Sequence, residues 1–462
     1  MFLRSGLLLR LLARPSYRTC LRLQTAGVTV PEKPHTESAK NFQSQGVFPA
    51  HEMIVNQIRR DIVLKDAYKQ RMVDKTRPRT EMLKDKLSIF CQTDSPVKQQ
   101  LKAVTQQELI DFVMEFACMT LSREELDTNL NLMQFLEDEC CFRAKNMNSA
   151  ELLLVADAFY LLRYRHHCSR YYSEMFREFE HRWMHMTIQK EDVVQLALCI
   201  IMWRKFPLLL IQNVEQFVCL NMEEFCAGEL SVVCSAFFMT NTSLRDVEML
   251  DKLASAVLRG VPRGELKAHQ LGSIFKALRH AHFSKLSFYD SLGNLLINSQ
   301  PGIWSEFMLI DLSNIAFAYA SLRISHSALF ARISSKAVRL IENQTTMRVK
   351  DVGRLVWSFL LLQEPLDNVV QNQLLFILRR DVHLMEQFSE AFIEALLGLA
   401  MHKIYPVDLL RQLFSIKFLT RKHGMINTRC LYCVECFRCS IRFEALSYLC
   451  ISCLLPAFSE KA

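Results

Sequence analysis

One pattern recurs eight times along this chain of 462 residues. Each copy has an apolar residue, two variable positions, two apolar or small residues, one variable position, a small residue and another apolar residue. The first apolar positions are Leu109, Leu152, Val193, Leu230, Leu271, Leu312, Val352 and Phe392. Successive copies are separated by 43, 41, 37, 41, 41, 40 and 40 residues. So regular a period indicates one supersecondary unit repeated along the chain.

The spacing inside the pattern predicts a helix, because apolar residues three, four and seven positions apart share one helical face. The small residue, present in seven copies, lets a neighbouring helix approach closely. The first copy has Glu115 there instead. This departure is typical of a terminal repeat without an upstream neighbour.

A second amphipathic run follows each of these predicted helices after a short turn, as in "ALFARISSKAVRLI" and "NVVQNQLLFILRR". Two helices in roughly 40 residues are typical of helical-repeat proteins. Since an isolated pair cannot bury its apolar face, the copies are expected to stack. The sequence therefore predicts an all-α fold, an α-solenoid of about eight two-helix repeats.

Charge divides the chain into four parts. Residues 1–31 carry +5, residues 32–105 carry +5 and residues 417–462 carry +4, which leaves −6 on residues 106–416 from a total of +8. We assign these parts to a presequence, a basic segment that is partly helical or flexible, the repeat array and a cysteine-rich tail. The charge of the array excludes a uniformly basic groove for polyphosphate.

The first 31 residues contain five arginines, several leucines and no acid. A basic, acid-free, amphipathic start is typical of mitochondrial presequences. A secretory signal is the alternative, but Arg10 interrupts the short apolar run. The sequence thus predicts import into the mitochondrial matrix.

Enzyme and membrane signatures are missing from the sequence. The twelve glycines form neither a GxGxxG nor a GxxxxGK[ST] loop. The longest apolar run, residues 193–203, is too short to span a bilayer and contains Gln195. His181 and His185 lie one helical turn apart without a local third ligand, which favours solvated side chains over a metal site. We expect no catalytic residue, no membrane span and no resident cofactor, apart from the zinc considered next.

Six of the sixteen cysteines lie in the tail, at intervals that include CxxC pairs. One pair from each cluster, Cys436 with Cys439 and Cys450 with Cys453, could hold zinc in a tetrahedral thiolate site. The short linker and the apolar end of the tail favour a poorly ordered or non-functional terminus instead. The other ten cysteines lie in apolar surroundings and are expected to be reduced core residues.

Basic and aromatic residues meet at the predicted turns between paired helices. Because these turns recur at equivalent places, stacking would align them along one edge, where they could bind single-stranded RNA. The residues predicted to contact RNA are Arg163, Tyr164, Arg165, Arg170, Trp203, Arg204, Lys205, Arg279, Lys285 and Arg323. The alternative is that exposed turns are simply charged, since "MTNTS" has no base and "LQEPLD" is acidic.

The segments "SAELLLVADAFYLLRYRHH", "DVGRLVWSFLLLQEPLDN" and "LLGLAMHKIYPVDLL" resemble the FAST-kinase-domain family of mitochondrial proteins over residues 108–416. The resemblance implies a mitochondrial RNA-binding protein built from helical repeats like octotricopeptide units. It further implies action in transcript stability, maturation or translation, in some members at messenger junctions without flanking tRNA. Kinase motifs are not a feature of the family.

The chain departs from the family pattern after Lys417. Family members continue into a second FAST segment and a RAP domain that resembles restriction-type nucleases, whereas this chain has the cysteine-rich tail. We expect a truncated or alternatively spliced product without the cleavage role of a RAP domain.

The predicted function is binding and positioning of single-stranded mitochondrial RNA, with other RNA-processing or ribosome-assembly proteins as partners, in RNA granules or nucleoids. A scaffold that binds another protein is the alternative. A third hypothesis, a nuclease, would use the acids between Glu124 and Glu139, although an acidic cap on the first repeat explains them as well.

Overall fold

A computed structural model describes residues 102–118, 130–162, 169–185, 188–299, 301–343, 347–386 and 388–413, together with Val55, Ile58 and Arg59. All of these residues belong to one unit, Ile54–Ala462. They form α-helices and short 3-10 turns, and no strand occurs among them. The predicted all-α class is confirmed.

Seventeen α-helices lie in the described residues. In chain order they are α1 Gln106–Cys118, α2 Leu130–Arg143, α3 Ser149–Leu161, α4 Ser169–His185, α5 Lys190–Trp203, α6 Leu208–Leu220, α7 Ala227–Met239, α8 Val247–Arg263, α9 Ala268–His280, α10 Leu286–Asn298, α11 Pro301–Glu306, α12 Leu309–Leu322, α13 Ser327–Asn343, α14 Val349–Leu362, α15 Asn368–Arg380, α16 Ser389–Met401 and α17 Val407–Leu413. Each copy of the sequence pattern is one helix, and a second helix follows it, so the eight copies are eight helix pairs. The short α11 lies between the fifth and sixth pairs.

The helix pairs stack in two layers. Each first helix packs against the first helix of the next pair, and from α2 to α15 each second helix packs against the next second helix. The small residues of the pattern lie at these contacts. A Cβ added at Gly353 in α14 would lie 2.9 Å from the Cβ of Ala395 in α16, and one at Gly398 would lie 3.4 Å from Val356. Near-equivalent positions therefore meet in successive first helices, so these helices run in the same direction.

The apolar face of each first helix forms the core. Leu109, Leu152, Leu271 and Leu312 have no exposed side-chain surface, and the second helices contribute residues such as Leu253. Burying a side chain of this size contributes about 1.5–3 kcal/mol relative to leaving it exposed. The most apolar residues of each repeat thus lie where the two helix layers meet and where the repeat contacts its neighbours.

An acidic or amide residue directly before the pattern caps most first helices. The backbone N–H at the start of the helix donates to Glu151 at 2.8 Å, to Glu229 at 2.7 Å, to Gln270 at 3.0 Å and to Asp311 at 3.1 Å. In α14 the equivalent Asp351 instead pairs with the Arg348 side chain at 2.7 Å. These side chains satisfy donors that a helix start leaves without a partner.

The first helices of repeats 3 to 8 end at a residue in the left-handed conformation. These residues are Arg204, Asn241, His282, Arg323, Gln363 and Lys403, with φ between 55° and 64°. In repeats 4 to 8 the next backbone N–H returns to a carbonyl of the last helical turn, as from Ile324 to Tyr319 at 3.0 Å. This is the Schellman geometry, which glycine usually provides. Here the chain adopts it with larger residues.

Candidate nucleic-acid interface

The turns that follow the first helices form what we call the turn edge. Because successive first helices run in the same direction, their carboxyl ends and the following turns lie side by side. Polar contacts join neighbouring turns: Ser243 donates to the carbonyl oxygen of His280 at 3.2 Å, and Ser325 and Ser327 both donate to Glu364, at 2.6 and 2.9 Å. The acidic turn that interrupted the predicted basic line therefore uses its glutamate to join two repeats.

Arg170 and Lys285, both predicted to contact RNA, have carboxylate partners. Arg170 pairs with Asp138 of the preceding second helix, and Lys285 pairs with Asp251 at 2.9 Å. All four side chains are largely exposed. Exposed pairs contribute at most about 1 kcal/mol, so a phosphate could compete for either cation.

Trp203 lies at the end of α5, stacked on aromatic residues of α4. Its ring is 5.9 Å from Tyr172 and 5.1 Å from Phe176, and the Lys205 ammonium lies 5.0 Å from its centre. Tyr171 and Tyr172 are fully buried and donate to the carbonyl oxygens of Leu152 and Ala156, both at 2.9 Å. These two tyrosines were expected on the turn edge, but they belong to the core and are not available for stacking on bases.

Arg204 and Arg323 occupy equivalent left-handed positions on the turn edge, and both are exposed. Arg163, Tyr164 and Arg165 lie outside the described residues, as do the presequence, residues 417–462 and the four cysteines of the suggested zinc site. The structure thus places two predicted arginines in register on the edge, and the turn of repeat 2 stays a sequence prediction.

Arg279 lies within α9 rather than in the turn, and it leads to a second group of basic and aromatic residues. Its guanidinium group is 4.9 Å from the ring centre of Phe317 in α12 and 5.9 Å from that of Phe238 in α7. Lys276 lies 5.9 Å from Phe238, and Arg354 of α14 lies 5.2 Å from Phe317. We call these five residues the ladder. It crosses four successive first helices on the side away from the apolar face.

Burial depresses the basicity of the ladder. The Lys276 side chain is half-buried, which lowers its pKa to about 8 against the opposing effect of Asp311. Burial likewise lowers the pKa of Arg354, although Glu394 and Asp351 oppose this effect. Removing a cation from water disfavours its charged form, and carboxylates nearby restore it only in part. The ladder therefore holds positive charge at an energetic cost.

Two of the acids near the ladder are engaged elsewhere. Asp311 caps α12 and Asp351 pairs with Arg348. Within the described part of the chain, Lys276 forms no hydrogen bond or ion pair, and the buried Nε of Arg354 has no hydrogen-bond partner. Among these residues, the shielded part of Arg354 thus lacks the partner that a buried charged group normally has, and an anion could reach the accessible atoms of both cations.

The same side of the first helices already receives a charged group from the N-terminal segment. Arg59 makes two hydrogen bonds to Asp157 of α3, at 2.8 and 2.7 Å. Asp157 is 1% exposed and lies five residues after the start of its pattern, as Lys276 and Phe317 do in theirs. Arg59 belongs to the basic segment before the array, and a buried carboxylate of the array holds its guanidinium group.

The acids of the nuclease hypothesis have structural partners where they are described. Glu137 is buried and accepts the backbone N–H of Tyr171 at 3.0 Å, while Asp138 and Glu139 pair with Arg170 and Arg143. Burial raises the pKa of Glu137. The contacts of Glu137 and Asp138 join repeats 1 and 2, whereas the Glu139–Arg143 pair lies within α2. All three acids thus have a structural role in the first repeat.

Metal-binding and membrane-spanning features are absent from the part of the chain just described. It contains no cluster of three or more His, Cys, Asp or Glu side chains arranged to hold a metal ion. His181 and His185 are 5.0 Å apart between ring centres on α4. None of its helices combines the length and apolarity needed to cross a bilayer.

Comparison with known proteins finds curated relatives that match about two thirds of the chain. The chain is 24% identical over 294 residues to "FAST kinase domain-containing protein 5, mitochondrial" of Mus musculus, covering 63% of this chain and 36% of the relative. The Pongo abelii and Homo sapiens proteins of the same name are each 22% identical, covering 68% of this chain and 39% of the relative. The chain is thus similar to FAST-kinase-domain proteins over about two thirds of its length. It spans little more than a third of the length of these relatives, and no family profile matches it.

Of the five residues of the ladder, the sequence predicted only Arg279 as a functional residue. The other four lie inside helices, whereas the predicted contacts were assigned to turns. One signal was present: the fifth position after the start of the pattern is Asp157, Ser235, Lys276, Phe317 and Trp357 in different repeats. A position so variable within a regular repeat indicates a surface that differs locally along the array.

Proposed function

We propose that this chain binds single-stranded RNA in the mitochondrial matrix and holds it for processing by other proteins. The observation that carries the proposal is the similarity, over about two thirds of the chain, to proteins named as mitochondrial. The residue-level resemblance described above implies an RNA-related role for such repeats. In this proposal the chain supports maturation and stability of transcripts, including messenger junctions without flanking tRNA, and catalyses no reaction itself.

The charge distribution supports local contacts rather than a continuous basic groove. Residues 106–416 carry −6, so the cations that meet phosphate must be concentrated in patches. The turn edge and the ladder are two such patches. The proposed partners are other RNA-processing or ribosome-assembly proteins, and the proposed location is an RNA granule or a nucleoid.

The proposal is tested by crosslinking in mitochondria. Ultraviolet crosslinking of the protein, followed by sequencing of attached RNA fragments, should recover transcripts well above the amount recovered with an unrelated matrix protein. Fragments are expected to cluster at particular transcript ends or junctions. Recovery equal to that of the unrelated protein contradicts RNA binding.

The turn edge has its own test. Changing Arg163, Arg165, Arg204 and Lys205 to Ala should weaken binding to single-stranded RNA and lower its dependence on salt, since each phosphate contact releases counterions. Equilibrium titration at two salt concentrations measures both effects. Unchanged affinity would remove these residues from the interface.

A protein-binding scaffold in the matrix is the second candidate, and exposed apolar residues favour it. Leu208 and Leu209 at the start of α6 are 83% and 69% exposed, and Val247 and Leu286 begin the next two second helices in the same exposed state. Side chains of this kind near one edge are typical of protein contacts. Co-purification of one stoichiometric protein partner in the absence of crosslinked RNA would support this candidate.

Zinc in the tail remains a proposal that concerns Cys436, Cys439, Cys450 and Cys453. Four thiolates satisfy the tetrahedral preference of zinc. Metal analysis of the purified chain should find about one zinc per molecule, and a variant with Cys450 and Cys453 changed to Ser should lose it. A metal-free wild-type protein would contradict the site.

A further inference from the structure

The strongest feature outside the predicted turn edge is a pair of cations to which no carboxylate of the described residues is hydrogen-bonded. Lys276 in α9 has neither a hydrogen bond nor an ion pair to any described residue, and the shielded Nε of Arg354 in α14 has no acceptor. Two neighbouring cations also repel each other, which makes the arrangement costly unless an anion enters. The nearby acids cap α12 or pair with Arg348.

Phe317 fixes the separation and direction of the guanidinium groups. Arg279 and Arg354 lie 4.9 and 5.2 Å from its ring centre, so one ring contacts two cations from different repeats. A guanidinium held over an aromatic ring is stabilised by the ring and keeps N–H donors at its edge for bidentate binding of an oxyanion. The ring thus acts as a spacer between two phosphate-binding groups.

A neighbouring part of the same side of the first helices binds one charged group from outside the array. Asp157 holds Arg59 through two short hydrogen bonds at the position in repeat 2 that Lys276 has in repeat 5. The charge at this position is negative in repeat 2 and positive in repeat 5. A cation docks on the acid in repeat 2, and an anion is the matching ligand for repeats 5 to 7.

We propose that Lys276, Arg279 and Arg354 bind consecutive phosphates of single-stranded RNA on the side of the first helices away from the apolar core. The inference rests on the proposed RNA-binding function and names a site for it that is separate from the turn edge. Phe317 already contacts cations from two repeats, so we expect its ring not to stack on a base. The ladder therefore contacts the sugar-phosphate backbone and positions the strand without reading its sequence.

The first test measures affinity of the full chain for a labelled oligoadenylate of about 20 nucleotides by fluorescence anisotropy. Lys276→Met and Arg354→Met should each weaken binding roughly tenfold and lower the salt slope by about one. Arg339→Met is the matched control, because it removes one exposed cation from the second-helix layer at α13. It should bind like the wild type.

A second test uses pH to change the charge of Lys276 while its side chain stays in place. Lys276 loses its proton more easily than an ordinary lysine, whereas an arginine stays charged throughout. Wild-type affinity should therefore fall between about pH 7 and about pH 9, and Lys276→Arg should bind equally at both. Adenine bases do not titrate in this interval. A merely structural role for Lys276 would not produce this difference.

The outcomes separate the two proposals. If the wild type binds the oligoadenylate and both Met variants bind equally well, the ladder is wrong while RNA binding stands. The same conclusion follows if Lys276→Arg shows the pH dependence of the wild type. If the wild type binds no better than an unrelated matrix protein, the proposed function fails and the ladder fails with it. Far-ultraviolet circular dichroism of each variant excludes loss of folding.

Discussion

At the residue scale, six residues adopt a backbone conformation that usually requires glycine. Arg204, Asn241, His282, Arg323, Gln363 and Lys403 all end first helices at positive φ. A left-handed residue with a Cβ costs roughly 1 kcal/mol relative to glycine. The sequence showed where these turns lie, but it did not show their conformation, because none of the six is glycine and only Asn241 is a usual substitute.

Gln363 allows this cost to be measured, because it is exposed and has φ of 56°. Gln363→Gly should raise the free energy of unfolding by about 0.5–1 kcal/mol, since relief of strain exceeds the added freedom of the unfolded chain. Gln363→Val should lower it, because a branched Cβ clashes at positive φ. Urea denaturation of the two variants gives both values. Equal stability in both would contradict the strain.

Lys276 predicts a pH dependence of stability. Burial lowers its pKa to about 8 in the folded chain, against about 10.4 in the unfolded chain. Between these values the unfolded state binds a proton that the folded state does not, so stability rises with pH there. Lys276→Met should add roughly 1–2 kcal/mol at pH 7, discounted from the full shift because the side chain is only half-buried.

The measurement is the difference in urea midpoint between Lys276→Met and the wild type at about pH 7 and about pH 10.5. The gain should shrink at the higher pH, because the wild-type lysine is then neutral in the folded chain and about half neutral in the unfolded chain. A constant gain would indicate that better packing of Met, and not charge, is responsible.

At the element scale, the residue before each pattern explains why the first helices begin where they do. The sequence showed Glu, Asp or Gln at this place in seven copies, and the structure shows backbone N–H groups donating to them. The helices themselves followed from periodicity alone. The ladder did not, since its burial depends on side chains that neighbouring repeats bring together, and no spacing within one repeat encodes this.

The cap is tested in α7. Glu229→Ala leaves the backbone N–H of Cys226 without its 2.7 Å acceptor and should cost about 1–2 kcal/mol. Glu229→Gln should cost much less, because Gln270 accepts the equivalent bond in α9. Thermal or urea denaturation distinguishes the two. Equal losses would show that the charge, rather than the hydrogen bond, supports the helix.

At the scale of the whole molecule, stability is distributed between neighbouring repeats. Each helix pair contacts the pairs before and after it, so damage to one contact should remain local. The period of the sequence was sufficient to predict this stacking. The docking of Arg59 on Asp157 was not predictable, because the two residues are 98 positions apart and share no pattern.

Gly353 tests local failure. Gly353→Ala places a Cβ 2.9 Å from that of Ala395 and should lower stability by about 1–3 kcal/mol. Hydrogen exchange should show lost protection in α14 and α16 while α5 and α7 keep theirs. Gly272→Ala is the control, since its nearest contact would be an ordinary 3.5 Å. Uniform loss of protection along the array would contradict a chain of independent neighbour contacts.

The left-handed ends of the first helices bear on how such a protein can change its ligand. The backbone closes each turn through its own hydrogen bonds. Arginine, asparagine, histidine, glutamine and lysine can therefore all occupy the left-handed position at the end of a first helix. A substitution among these five residue types at such a position changes the side chain that the turn displays, while the turn keeps its backbone geometry. Such substitutions can therefore change the ligand contacts of one repeat at a time, while the packing of the helices stays the same.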